Sequence, residues 1–198
     1  VSASAPIAKY ITVVRDFVVA ANISGTANKL QWSDINDETD WTSGGASQAD
    51  YQILAEGGNI VGITGGEFGI VLLERAIYRM SYIGSPLFFQ FDAISRNLGC
   101  NTPGSVTQYG PNTFFLADDG FYMCDGTNVM NIGNNKIDEY FYENMALAQQ
   151  DTISAAIDPI RNIVLWNYPN TNGGRSLLIY NWLVKKWSSA DTNLEYIV

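Results

Sequence analysis

The sequence predicts an all-β protein, a β-propeller-like array of about four blades with one short helical insertion, and three observations lead there. Charged residues are only 16% of the 198, below the roughly 25% of ordinary soluble domains; Asn, Ser, Thr, Gln and 18 Gly stand in their place. That is the composition of short strands joined by tight turns rather than of salt-bridged helices. Short apolar runs alternate with Gly-, Asn- and Asp-rich punctuation along the chain, the pattern of strands and turns. Four stretches then repeat one plan at a near-constant spacing.

In each repeat an apolar strand, a short turn and a second apolar strand ending in an aromatic precede a polar turn and one more apolar or aromatic residue. The first repeat runs from Asp16–Ala21 through Lys29–Trp32 to Trp41. The second takes Phe68–Leu73, Ala76–Met80 and Leu87–Phe89, and the third Thr113–Ala117, Phe121–Met123 and Val129–Met130. The fourth takes Asn162–Trp166, Leu177–Asn181 and Trp187–Ser188. The anchoring aromatics Trp32, Tyr78, Tyr122 and Tyr180 are 46, 44 and 58 residues apart, close to the roughly 40–50-residue period of propeller blades. Leu177–Tyr180 is apolar on both faces, as expected of a strand sandwiched between neighbouring layers. A β-sandwich with regularly spaced strands is the competing architecture.

The turns agree with the strands. Asp119-Gly120 and Asp125-Gly126 supply positive-φ positions for tight hairpins, and Asn172-Gly173-Gly174 a longer one. Gly57-Gly58 and Gly65-Gly66 are expected to punctuate blade boundaries. One helix is expected over roughly residues 135–149: Asn135 can cap it, Asp138 and Glu139 suit its positive first turn, and Ile137, Phe141, Met145 and Ala148 share a face. The whole is read as a single domain, residues 1–198, with units of about 10–50, 51–100, 101–150 and 151–198. The absent initiator Met and the strand-like ending at Tyr196-Ile197-Val198 suggest a segment of a longer chain.

Charge and residue usage bound the chemistry. A net charge of −9 argues against a surface that grips phosphates, which needs Lys and Arg. No histidine occurs, so the commonest general base, metal ligand and partner of a nucleophilic Ser or Cys is missing. Cys100 and Cys124 have neither metal nor redox spacing and read as thiols in a reducing compartment, with a single bridge between them as the alternative. No apolar run reaches the length of a membrane span.

Each polar constellation has a plain structural reading beside its chemical one. Ser33–Trp41 resembles the Asp-box turn of sialidase-type propellers without its central Gly, and its acids could in principle serve Ca²⁺; a solvated turn is the simpler reading. Asp118, Asp119 and Asp125 could pair as glycosidase carboxylates, but Asp beside Gly is favoured in turns for bonding its own backbone. Gly65-Gly66-Glu67-Phe68-Gly69 lacks the register of a phosphate loop. Trp32, Trp41, Trp166, Trp182 and Trp187 could stack sugars or bases, yet are expected to fill the core. Lys185-Lys186 is too small a basic cluster to bind alone, and Asn22-Ile23-Ser24 is a bare glycosylation sequon. No catalytic, cofactor-binding or metal-binding residue is assigned, and the chain is expected not to be an enzyme.

One resemblance adds to this reading. Asn22–Gly25 followed by Leu30-Gln31-Trp32-Ser33-Asp34-Ile35 and an acidic stretch to Trp41 is similar to a phrase in tail proteins of short-tailed bacteriophages. So are Phe115-Leu116-Ala117-Asp118-Asp119-Gly120-Phe121-Tyr122 and Lys136-Ile137-Asp138-Glu139-Tyr140-Phe141. The family is that of the tail hub, or packaged-DNA stabilisation protein, and the related nozzle proteins, and the resemblance spans about residues 10–190. It implies a virion structural protein, a propeller-bearing subunit assembling as a ring of copies against the portal, an adaptor or other tail proteins. Double-stranded DNA would pass through that ring without specific binding. The resemblance brings no catalytic residue and no cofactor. The rival readings are a carbohydrate- or receptor-binding propeller and a carboxylate-dependent glycosidase or lyase.

Overall fold

The computed structural model describes residues 5–134 and 136–197. The protein is all-β, with sixteen strands among the described residues arranged as four four-stranded antiparallel sheets. In each sheet the strands lie in chain order, so each is an up-and-down meander. The chain divides into two compact units, Val1–Cys100 and Asn101–Val198, with two sheets in each.

The first sheet contains β1 (Ala8–Val14), β2 (Phe17–Ile23), β3 (Thr26–Trp32) and β4 (Asp50–Ile53). The β1–β2 hairpin turns on Arg15 and Asp16, with Val14 opposite Phe17. A register irregularity at Asn22, where φ is 58°, aims its side chain out of the ladder. Its Nδ2 donates to the Ile60 carbonyl of the next sheet at 2.7 Å. That next sheet contains β5 (Ile60–Thr64), β6 (Gly69–Leu73), β7 (Ile77–Gly84) and β8 (Phe88–Ser95).

Between the two sheets of this unit lie Phe17, Val19, Leu30 and Trp32 from the first, and Ile60, Tyr78, Met80 and Phe89 from the second. Each large side chain so buried contributes roughly 1.5–3 kcal/mol. The first strands of the two sheets meet side by side. Val14 and Gly66 form a parallel bridge, Gly66 N donates to Val13 O at 2.9 Å and Arg15 N to Gly66 O at 2.7 Å. A Cβ on Gly65 would collide with the Val13 carbonyl, so only glycine allows this approach. Gly65-Gly66 thus sits inside the second sheet, in the β5–β6 connection. Gly57-Gly58, between β4 and β5, does mark a sheet boundary.

The second unit repeats the plan. Its first sheet contains β9 (Thr107–Tyr109), β10 (Asn112–Ala117), β11 (Gly120–Cys124) and β12 (Val129–Asn131). Its second contains β13 (Ser154–Asp158), β14 (Ile163–Pro169), β15 (Arg175–Asn181) and β16 (Lys186–Thr192). Here too the first strands, β9 and β13, are neighbours. Phe114, Leu116, Phe121 and Phe141 pack with Trp166, Tyr168, Leu178 and Tyr180. A 3-10 turn, Pro103–Ser105, ties the two sheets together through the buried Ser105. Leu116 N donates to Ser105 Oγ at 2.9 Å, Ser105 Oγ to Thr102 O at 2.7 Å, and Trp166 Nε1 to Ser105 O at 2.9 Å.

The helical insertion is shorter than the sequence suggested. Helix α1 covers Asp138–Asn144, and a separate 3-10 stretch covers Leu147–Thr152. Met145 leaves the helix because its backbone bridges Asn170, while Ala146 N donates to Pro169 O and Thr171 N to Asn144 O, each at 2.9 Å. Phe141 and Met145 are buried, whereas Ala148, expected on the same face, is exposed in the 3-10 stretch. The expected cap, Asn135, lies outside the described residues.

Candidate functional site

Among the concave regions of the described residues, one in each unit gathers acids or aromatics that the sequence singles out. The first lies beside α1 in the second unit. It is an open cleft of about 520 Å³ lined by Asp119, Asn134, Lys136, Asp138, Glu139, Tyr140 and Glu143. Four of these seven are carboxylates, brought together because the β10–β11 hairpin ends against the start of the helix.

Asp138 is the buried member. Its Oδ1 accepts from Phe121 N at 3.1 Å, and a Cβ on either Gly120 or Gly133 would strike its carboxyl group. The two glycines leave the room that this contact occupies, and Gly120 also has φ 147°. Burial raises the Asp138 pKa above the usual carboxylate range, and the charge of Asp119 adds to that; the Phe121 and Asn131 hydrogen bonds act the other way. The position of Asp138 makes it a pin joining hairpin, β12 and helix. Tyr142 donates to Ala117 O at 2.9 Å, and burial raises its pKa.

The other three acids of interest are engaged locally. Asp118 accepts from Asn101 Nδ2, and Asp119 from the Tyr122 hydroxyl at 2.8 Å. Asp125 Oδ1 accepts from Thr127 N at 2.8 Å and Asn128 N at 2.7 Å, bonds that lower its pKa and close the turn before β12. The hairpin brings Asp119 towards Asp138, the residue that sequence reasoning took only for a helix first-turn acid.

In the first unit the Ser33–Trp41 stretch is a knot of self-satisfied turns. Asp34 Oδ1 accepts from Ile35 N at 2.9 Å and Gln48 N at 2.7 Å. Asp37 Oδ1 accepts from the Thr39 hydroxyl at 2.6 Å and its backbone N–H at 2.9 Å, which lowers the Asp37 pKa, the hydroxyl bond most. Trp41 is buried, and its Nε1 donates to Glu38 O at 2.8 Å. Among the described residues no three His, Cys, Asp or Glu side chains are grouped to hold a metal ion.

The second concavity is a groove of about 430 Å³ in the first unit. It is lined by Trp32, Asp50, Tyr51, Gln52, Ile83, Leu87, Phe89, Gln90 and Phe91. The fourth strands of the two sheets, β4 and β8, border it. Of the tryptophans, Trp32, Trp41 and Trp166 are buried; Trp182 and Trp187 are half-buried against the second unit's core, where Trp166 and Trp187 stack with centroids 5.6 Å apart. Lys185, with φ 53°, belongs to the β15–β16 turn and Lys186 opens β16. Cys100 and Cys124 are both buried as thiols. No helix among the described residues is long and apolar enough to cross a membrane.

No protein-family model matches the sequence, and no curated protein matches it. Among solved structures, the chain is similar to a crystal structure from Bacteroides fragilis of a protein whose name suggests export. The TM-score is 0.45 at 13% identity, covering 96% of this chain and 60% of the other; this chain therefore spans less than two thirds of that structure's length.

Proposed function

We propose that this chain is a run of β-propeller blades serving as a structural component of a bacteriophage tail, a hub, nozzle or head-to-tail connector. The observation that carries the propeller part is the arrangement inside each unit. Two consecutive four-stranded meanders have their first strands as neighbours, joined in the first unit by the parallel Val14–Gly66 bridge. Successive blades of a propeller meet in this way, inner strand beside inner strand around an axis. The tail part rests on the sequence resemblance across about residues 10–190.

In this reading the blades of each unit give a packed scaffold and the loops give the contacts. Copies of the chain form a ring that meets the portal, an adaptor or other tail proteins in the virion, and double-stranded DNA passes through during ejection. The acidic balance suits a wall that DNA passes without being held. The work is assembly, and the chain performs it without being an enzyme. Electron microscopy of the purified protein, with its mass measured under native conditions, tests this. Closed rings with an opening wide enough for duplex DNA are expected. A strictly monomeric species at every concentration overturns the conduit.

A further inference from the structure

The groove of the first unit has the chemistry of a ligand site that tail assembly does not require. Its floor is aromatic. Trp32 meets Phe89 edge-on at 5.1 Å between centroids and Phe91 at 6.2 Å, and Trp32 is fixed by its Nε1 bond to Gln48 O at 2.9 Å. One wall is aliphatic, with Ile83 49% and Leu87 66% exposed on the β7–β8 hairpin. The remaining lining is planar and polar: Asp50 and Gln52 on β4 and Gln90 on β8.

These polar groups are oriented but only partly used. Gln52 Nε2 donates to Ile53 O at 2.9 Å, Gln90 Nε2 to Asp92 Oδ1 at 2.7 Å, and Asp50 Oδ1 accepts from the Ser43 hydroxyl at 2.9 Å. Each bond fixes one end of a planar group that has further lone pairs or N–H to offer. Tyr51, half-exposed at the rim, carries Lys29 Nζ 4.0 Å from its ring centroid.

The lining disfavours two ligand classes. An anion entering would meet the carboxylate of Asp50, with Asp92 bound to Gln90 close by. A wholly apolar ligand would desolvate Gln52, Gln90 and Asp50 without replacing their water, at a cost of about 1–3 kcal/mol for each unmade bond. A neutral molecule with C–H faces and hydroxyl edges satisfies floor, wall and rim together. We propose that this groove binds a neutral oligosaccharide, its C–H faces against Phe91, Ile83 and Leu87 and its hydroxyls on Gln52, Gln90 and Asp50. The volume falls within the roughly 300–1,000 Å³ of small-molecule sites. This inference stands on the groove alone and does not depend on the tail reading.

The test is an array of immobilised neutral gluco-, galacto-, manno- and N-acetylhexosamine oligosaccharides probed with the whole chain, followed by calorimetric titration of a retained sugar. Selective retention is expected, with affinity at least about tenfold lower in Gln52→Ala and in Gln90→Ala. Both positions are exposed, so circular dichroism and the melting midpoint should match the parent. An array without selective retention overturns the proposal. So does a sugar whose affinity is unchanged in both variants, or binding of an extended peptide along the β4 or β8 edge in place of sugar. None of these outcomes bears on ring assembly, which electron microscopy reads separately.

Discussion

Asp138 shows at the scale of one residue how burial changes what an acid does. Sequence reasoning placed it in the helix first turn, where a carboxylate favours the positive end of the helix. In the fold it is buried against Gly120 and Gly133 and bonded to Phe121 N. The glycines that receive it lie on either side of a hairpin, so no local pattern could announce the contact. Its pKa is raised, by burial first. The folded state therefore holds a proton that the unfolded chain releases. The associated stability is complete below the usual carboxylate range and is lost as pH rises through the folded value. Asp37, Asp40, Asp125 and Asp158 have lowered values, set chiefly by hydrogen bonds; their contribution is lost as pH falls instead. Those terms are common to parent and variant, so a difference isolates Asp138. Asp138→Asn, which keeps an acceptor for Phe121 N, should gain in melting temperature relative to the parent as pH rises from about 4, the ordinary carboxylate value. Parallel melting profiles would show that Asp138 is not the titrating group.

At the scale of the element, the middle strands were legible and the first strands were not. Runs such as Gly69–Leu73 and Phe114–Ala117 are apolar on both faces and announce themselves. In the second unit the first strands are short, small or polar: Thr107–Tyr109 is three residues and Ser154–Asp158 reads SAAID. Their strand character comes from pairing with a neighbour already in place, which is tertiary context rather than propensity. β4 was missed for the same reason, and Trp41, expected to end the first repeat, lies in a loop. The helix was overread because the Phe141–Met145 spacing is helical while the Met145 backbone is claimed by Asn170.

The element with the most work per residue is the 3-10 turn at Pro103–Ser105, which composition does not mark. Ser105 Oγ is the acceptor for the buried Leu116 N–H, and removing it leaves that donor without this partner. Ser105→Ala should cost about 1–3 kcal/mol in denaturant unfolding, while the Trp166 bond survives because it uses the Ser105 carbonyl. An unchanged midpoint would show that the turn is held by its backbone alone.

For the whole molecule, four meanders in chain order account for the recurrence of aromatics at blade-like intervals in the sequence. Trp32, Tyr78, Tyr122 and Tyr180 each fall on a middle strand of a different sheet. Charge is the other property that belongs to the chain as a whole. Against 20 acidic residues stand 11 Lys and Arg, and several of these are committed locally. Arg15 pairs with Glu67 at 3.5 Å, Arg96 with Glu56 and Arg161 with Asp158 at 2.6 Å. Arg79 lies over the Phe68 ring at 4.2 Å, and Arg175 Nη2 donates to Thr152 O at 2.9 Å. Duplex affinity arises from cations that displace counterions from phosphates, so a chain whose cations are outnumbered and in part engaged has little to offer. The prediction is no measurable retention of duplex DNA by fluorescence anisotropy even at about 50 mM salt, where phosphate contacts are strongest. Binding that weakens steeply as salt is raised would reveal a cationic stripe holding the phosphates. That would replace the passive wall of the proposed conduit with a gripping one.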